Sequence, residues 1–148
     1  MKKNLLDYVK HYKSFLNDDL CNKTIIELNK LDNSIWEEHL FYDYSKNENI
    51  KKSGDKELSI ASSEKISTKE IIMKELWNAI YDYINNLGFS WFTGWNGYTS
   101  IRFNKYEKDK KINLLKGDLL IFPSIFLYPH KVEPIKKGTR YSFISWVY

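Results

Sequence analysis

The stretch Tyr128–Trp146, with the sequence YPHKVEPIKKGTRYSFISW, decides the fold of this chain. Two runs rich in β-branched and aromatic residues flank a turn that contains proline, lysine and glycine, which is the pattern of a β-hairpin. His130 lies on the first run, and Arg140 and Ser142 lie on the second. The hairpin therefore predicts that these three side chains share one end of a sheet.

The residue types on this hairpin suit a metal and a carboxylate. Opposed and diagonal neighbours of an antiparallel pair lie about 4.5 to 8 Å apart, so His130 is expected close to Arg140. Arginine binds a carboxylate with two parallel hydrogen bonds, and Ser142, two residues on along the same face, can add a hydroxyl. Neutral imidazole is an ordinary ligand of Fe(II). Taken singly, each residue also has a structural explanation, such as an ion pair between Arg140 and Glu133.

The chain before the hairpin is also rich in predicted strands. A turn at residues 116–118 precedes the continuous apolar run 119–123, which is typical of a buried strand. Between Tyr98 and Tyr106 the pattern has a period of two, which predicts a strand with one polar face. That face carries Tyr98, Ser100, Arg102, Asn104 and Tyr106.

This C-terminal half resembles the Fe(II)/2-oxoglutarate-dependent dioxygenases, and its ending is most similar to the prolyl-4-hydroxylase-like type of bacteria and phages. The resemblance covers roughly residues 91–148 and implies a double-stranded β-helix, a jelly-roll or cupin-like fold. It implies Fe(II) and 2-oxoglutarate as cofactors, with a protein or a small molecule as substrate. In that family a histidine in the position of His130 binds the metal, and an Arg-x-Ser like Arg140 and Ser142 binds the distal carboxylate of 2-oxoglutarate. Asn104-Lys105-Tyr106 resembles the Asn-x-Tyr of the alkylation-damage demethylases, which implies lesser contacts from Asn104 and Tyr106.

One part of the family's metal site has no counterpart in the sequence. Members carry a His-x-Asp or His-x-Glu pair after the strand that ends here at Tyr106, whereas the three histidines of this chain are followed two positions later by lysine, phenylalanine and valine. A single imidazole holds Fe(II) weakly, because affinity depends on the number and preset geometry of the ligands. We therefore expect little or no oxygenase turnover, and we assign no catalytic residue.

The same gap affects the predicted fold. In the family several strands follow the position of Tyr106. Here only a short segment leads from Tyr106 to Gly117, and the strands missing from it would fall between Lys110 and Lys111. We expect residues 107–111 to form a tight hairpin, the strand at Leu119 to lose a neighbour, and the remaining strands to close into one smaller sheet. Open sheet edges favour self-association.

The first half of the chain is predicted to be mostly helical. One helix follows the cap-like residues 17–19. A second follows a capping box at residues 67–70 and ends before Gly88. Residues 41–66 are interpreted as an irregular connector with one possible strand at 57–61. His11 and His39 belong to this half and have no strand context that would bring them to His130. The overall prediction is a single α+β domain over 1–148, with a truncated double-stranded β-helix at 91–148 behind an N-terminal helical layer at 1–90.

Composition excludes several other classes of protein. The 21 lysines are scattered and only two arginines occur, so the sequence lacks the concentrated basic stripe of a nucleic-acid binder. It contains no apolar run long enough to span a membrane and no secretory apolar segment. A single cysteine, Cys21, fits a reducing compartment, so we expect a cytoplasmic protein.

Three functions remain open from the sequence. The chain is a shortened oxygenase, a non-catalytic binding or interaction module on the oxygenase scaffold, or the non-functional product of a deletion.

Overall fold

The computed structural model describes residues 4–88, 96–107, 115–123 and 138–148, and the architecture is that of these residues. They contain both helices and strands, with two additional 3₁₀ turns at Leu5–Tyr8 and Asn33–Ile35. In chain order the elements are β1 (Lys10–Tyr12), α1 (Asp18–Lys30), β2 (Glu37–Asp43), β3 (Glu48–Glu57), α2 (Ile60–Ser63), α3 (Lys69–Leu87), β4 (Arg102–Glu107), β5 (Leu119–Ile121) and β6 (Thr139–Ile144).

The described strands form two antiparallel sheets. One has four strands in the order β2-β3-β4-β6, and the other has two, β1 and β5. The predicted mixture of helices and antiparallel sheet is confirmed, whereas the prediction of one smaller sheet is wrong. The strand at Leu119 pairs with β1 through Leu119 and Tyr12, which is its one neighbour among the described residues, so the loss of a second neighbour stays a prediction. The expected hairpin at 107–111 falls almost entirely outside the described residues.

β4, which contains Tyr106, pairs with the C-terminal strand β6. β4 and β6 run antiparallel without a register break, from Arg102 opposite Ile144 to Glu107 opposite Thr139. A further bridge joins Tyr98 to Val147. This uninterrupted register fixes which side chains of the two strands lie next to each other.

The predicted irregular connector at 41–66 is wrong, because half of it is strand. β2 and β3 form a hairpin, and β3 continues the sheet by pairing with β4 through Asp55 and Tyr106. A bulge interrupts β2 between Glu38 and Leu40, at His39. His11 lies in β1 and His39 in β2. The prediction that neither is brought to His130 is not tested, because His130 lies outside the described residues.

The two long helices lie close to their predicted positions. Asn17 caps α1 by accepting a hydrogen bond from the amide of Leu20. α3 ends at Gly88, whose φ of 61° is the left-handed conformation that glycine adopts readily. The predicted capping box is wrong, since Thr68 is the N-cap residue and makes no side-chain cap. The carboxylate of Glu27 in α1 instead accepts hydrogen bonds from the Ser67 hydroxyl and the Thr68 amide.

The core lies between the helices and one face of the four-stranded sheet. Ile72, Leu76 and Ile80 of α3 are buried with Ile101 and Phe103, at the start of β4. Full burial of such a side chain contributes about 1.5–3 kcal/mol, so this layer fixes the face that β4 turns towards the helices. Within the described residues, no helix combines the length and the apolar character needed to cross a bilayer.

A second set of contacts joins β1 to the turn before β5. Asp118 accepts hydrogen bonds from the amides of Ser14 and Leu115, at 2.9 and 3.1 Å, and its other contact is the Nε2 of His11 at 2.7 Å. The amide of Leu16 donates to the carbonyl of Gly117 at 2.8 Å. We call this group the β1–β5 latch. It holds together two segments of the chain that are about 100 residues apart in sequence.

Candidate functional site

Four of the predicted site residues lie together on β4 and β6. Asn104 is the register partner of Ser142, and Tyr106 is the partner of Arg140. Because alternate residues of a strand face the same side, all four side chains belong to one face of the sheet. It is the face opposite Phe103, which packs into the core. We call these four residues the β4–β6 polar cluster.

Arg140 is the charged member of the cluster. Its guanidinium carbon lies 5.2 Å from the centre of the Tyr106 ring, which is the geometry of a cation–π contact. The side chain is half-buried, and burial lowers the pKa of Arg140 from its ordinary value while Tyr106 opposes the shift. An arginine remains protonated at neutral pH under such conditions. Among the described residues no carboxylate pairs with this cation.

Asn104 is the most buried member, with 4% of its surface exposed. Its Nδ2 donates a long hydrogen bond of 3.4 Å to the Tyr106 hydroxyl, and its Oδ1 is buried without a hydrogen-bond partner. A half-turn of the amide would let the Tyr106 hydroxyl donate to Oδ1 and would turn the NH₂ group towards the open side. In either orientation one end of the amide lacks a hydrogen-bond partner among the described residues.

The cluster therefore offers groups that a carboxylate can use. An unpaired guanidinium fork, the hydroxyl of half-buried Ser142 and an amide stand in two adjacent register rows. A buried polar group without a partner costs about 1–3 kcal/mol, and an anion bound here would supply the missing partners. Arranged in this way, these groups can bind a carboxylate.

A charged row continues the same face towards β2. Glu57 is the register partner of Asn104, and its two carboxylate oxygens lie 3.3 Å from Nη1 of Arg102 and 3.7 Å from Nδ1 of His39. The sequence did not predict this row, because neither β2 nor β3 was predicted as a strand. The one available signal was the position of Arg102, two residues before Asn104 on the predicted polar face.

The described residues do not fit Fe(II). They contain no group of three His, Cys, Asp or Glu side chains arranged to hold a metal ion. The pair of His39 and Glu57 is a poor substitute, because the guanidinium of Arg102 already neutralises that carboxylate and repels a cation. His11 belongs to the β1–β5 latch. His130, the predicted metal ligand, lies outside the described residues, so its distance to Arg140 stays a prediction.

Comparison with known proteins identifies the family of the chain. The model of the 2OG-Fe(II) oxygenase superfamily matches residues 68–148, a segment that contains α3, β4, β5 and β6. No curated protein and no solved structure matches the chain. Since the family match covers more than half of the sequence, the chain belongs to the 2OG-Fe(II) oxygenase superfamily, whose members use ferrous iron and 2-oxoglutarate.

Proposed function

We propose that the β4–β6 polar cluster binds 2-oxoglutarate and that the chain is a prolyl-4-hydroxylase-like oxygenase with weak or absent turnover. One observation carries the proposal. The half-buried guanidinium of Arg140 has no carboxylate partner among the described residues, and it lies beside the buried, partly unsatisfied amide of Asn104. A protein without a ligand for these groups would leave them at a net cost in stability.

In this proposal each member of the cluster has a defined task. Arg140 and Ser142 bind the distal carboxylate, the first through its planar fork and the second through its hydroxyl. Asn104 and Tyr106 line the same pocket as lesser contacts, and His130 is the proposed metal ligand. When bound in the intact family, iron and the keto acid activate O₂ for hydroxylation of a protein or small-molecule substrate, with release of succinate and CO₂.

Weak turnover follows from the ligand set. The sequence has no His-x-Asp or His-x-Glu pair, and the described residues hold no three-ligand group. Ferrous iron held by one imidazole is neither tightly bound nor fixed in position. This favours the alternative function, a non-catalytic binding module that keeps the dicarboxylate site.

The first test is stabilisation by 2-oxoglutarate. Thermal unfolding with ligand at about 100 times its Kd should show about 2.7 kcal/mol of added stability, and Arg140→Ala should remove that gain. Arg102→Ala is the matched control, because Arg102 is the other arginine of the chain and its partner is Glu57. Equal stabilisation of all three proteins, or of none, would contradict the proposed site, and the latter result would favour a non-functional deletion product.

The second test is succinate release with added Fe(II), 2-oxoglutarate and O₂. We expect a rate close to that of free iron, unchanged by His130→Ala. A rate well above that background which His130→Ala abolishes would show a working iron site and contradict the proposed loss of turnover.

A further inference from the structure

We propose that the outer edge of β2 joins two copies of this chain, through antiparallel pairing of β2 with β2 of a second copy. Within the described part of the chain, β2 is an outermost strand of the four-stranded sheet and pairs only with β3. An edge strand presents backbone amide and carbonyl groups that another strand can use. β6, which carries Arg140, is at the other end of the strand order, so this surface is separate from the proposed 2-oxoglutarate site.

The exposed side chains of β2 and the following turn form an apolar stripe. Leu40 is 47% exposed, Tyr42 is 46% exposed, and Tyr44, in the turn, is 89% exposed. Alternate residues of a strand share a face, and the ring centres of Tyr42 and Tyr44 lie 5.0 Å apart. The Tyr42 hydroxyl donates to Asn47, so the ring can be covered by a partner without leaving that hydroxyl unpaired. We call Leu40, Tyr42 and Tyr44 the β2 stripe.

The edge of β2 is only partly protected against pairing with another strand. Lysine, proline and bulges are common devices that stop a sheet edge from accepting a strand. β2 contains neither lysine nor proline, and the bulge at His39 precedes the β2 stripe. From Leu40 to Asp43 the strand pairs with β3 without a register break. This run is therefore regular enough to receive another strand on its outer side.

The sequence of β2 is complementary to itself in one register. Paired residues of an antiparallel ladder point to the same face, so a two-fold axis must pass where a residue meets its own copy. An axis at Phe41 places Leu40 opposite Tyr42 of the second copy, and this apolar pair occurs twice. The same axis places Asp43 opposite His39 of the second copy, so no like charges meet.

The neighbouring registers are less favourable. An axis at Leu40 places Glu37 opposite Asp43 of the second copy, and like charges directly opposite each other destabilise a strand pair. An axis at Tyr42 leaves only residues 41–43 of each strand to pair, because β2 ends at Asp43. The self-complementary register avoids both the repulsion and the loss of pairing.

The size of the contact predicts a weak dimer. The β2 stripe exposes about 300 Å² of side-chain surface in each copy, because a fully exposed aromatic side chain contributes about 200 Å². A stable complex typically buries about 800 Å² on each partner. We therefore expect a dissociation constant on the order of 10⁻⁵ M, with the backbone pairing adding to the contact of the stripe.

Sedimentation equilibrium of the full chain at concentrations from about 1 μM to about 1 mM tests this pairing, since the range brackets the expected dissociation constant. Leu40→Lys should weaken dimerisation at least about tenfold, because it places a charge in the apolar pair. Ile71→Lys is the matched control. Ile71 lies on α3, away from β2, and is exposed to the same extent as Leu40, at 47%. It should leave the dimer unchanged.

A pair of opposite charges tests the register. Tyr42→Asp alone should also weaken the dimer at least about tenfold. The double variant Leu40→Lys with Tyr42→Asp should recover dimerisation to within about threefold of the unmodified chain, because the two new charges then face each other across the axis at Phe41. With the axis at Leu40 or at Tyr42, like charges would meet and the double variant would stay monomeric. Both positions are about half exposed, and thermal unfolding of each variant checks that the fold is kept.

Three results would overturn the proposed dimer. A chain that stays monomeric at every concentration would leave the β2 stripe to a different protein partner. Dimers that Leu40→Lys weakens no more than Ile71→Lys does would place the interface elsewhere on the molecule. A folded double variant that fails to recover dimerisation would rule out the pairing centred on Phe41.

Discussion

The β4–β6 polar cluster and the β1–β5 latch both bring polar groups together, and they differ in whether those groups have partners among the described residues. In the latch, the carboxylate of Asp118 accepts hydrogen bonds from two amides and lies 2.7 Å from His11. In the cluster, Arg140 has no carboxylate partner within the described part of the chain, and Asn104 keeps an unpaired amide oxygen.

This difference separates polar groups that stabilise the fold from polar groups that are available to bind a ligand. A polar group whose partners are all internal stabilises the fold, and its loss is measured as a loss of stability. A polar group that is partly buried and unpaired lowers stability until a ligand arrives. Variants of the latch should therefore unfold more easily, and variants of the cluster should lose ligand binding with little or no loss of stability.

The largest expected effect is that of Gly117→Ala in the latch. Gly117 has a φ of +82°, and a Cβ there would lie 2.1 Å from the carbonyl oxygen of Leu16. The strained backbone and the clash together should lower the free energy of unfolding by about 3 kcal/mol or more, measured by denaturant titration.

Gly138→Ala, at the start of the cluster strand β6, is the matched control. Gly138 also has a positive φ, of +90°, but a Cβ there would meet nothing within 4 Å. The strained backbone alone should lower the free energy of unfolding by about 1 kcal/mol. Equal losses in the two variants would show that the close approach to Leu16 does not hold the latch together.

The next largest expected effect is a pH-dependent loss of stability in Asp118→Asn. Hydrogen bonds from the Ser14 amide, from His11 and from the Leu115 amide lower the pKa of Asp118 below its ordinary value. A carboxyl with a lowered folded-state pKa stabilises the fold above its unfolded pKa of about 4, and that contribution is lost as pH falls through the folded value. Asp118→Asn should therefore melt several degrees lower than the unmodified chain at pH 7, and the gap should narrow as the pH falls below about 4. A gap that persists unchanged in acid would assign the loss to something other than the charge.

These contrasts mark what the sequence could and could not predict. The strand pair of the cluster was predictable, because the alternation before Tyr106 and the C-terminal hairpin pattern are local signals. The β2–β3 hairpin was not, because its central residues are charged or small and β3 is paired on both sides by other strands. Long-range pairing overrides weak local propensity in this part of the sheet.

The start of α3 shows the same limit in a helix. Ser67 and Glu70 have the spacing of a capping box, but Ser67 and the amide of Thr68 bond to Glu27 of α1. A partner that is 40 residues away along the chain leaves no trace in the local pattern. The same reasoning applies to the site, where the charged row of Glu57 became visible only once β3 was paired with β4.

A smaller effect, of opposite sign, is expected for Asn104→Leu in the cluster. The replacement has a similar size and removes a buried amide whose oxygen has no partner, so the free energy of unfolding should rise by about 1 kcal/mol. Binding of 2-oxoglutarate should weaken in the same variant. Thr68→Val is the control, because the fully buried Thr68 hydroxyl is bonded to Thr24 at 2.8 Å, and its loss should lower stability by about 1 kcal/mol. If both variants lose stability, Asn104 has a structural role, as the polar residues of the latch do.

The smallest effect is expected for Tyr106→Phe. The Tyr106 hydroxyl takes part only in the long 3.4 Å contact with Asn104, while its ring lies under the guanidinium of Arg140. Phenylalanine keeps the ring, so stability should change by a few tenths of a kcal/mol and dicarboxylate affinity by about twofold or less. Tyr106→Leu removes the ring and should weaken binding more, because Arg140 loses the surface that orients it. A tenfold loss of affinity in Tyr106→Phe would instead mean that the hydroxyl contacts the ligand. The carboxylate would then be bound by a hydroxyl from each strand, Tyr106 on β4 and Ser142 on β6, as well as by Arg140.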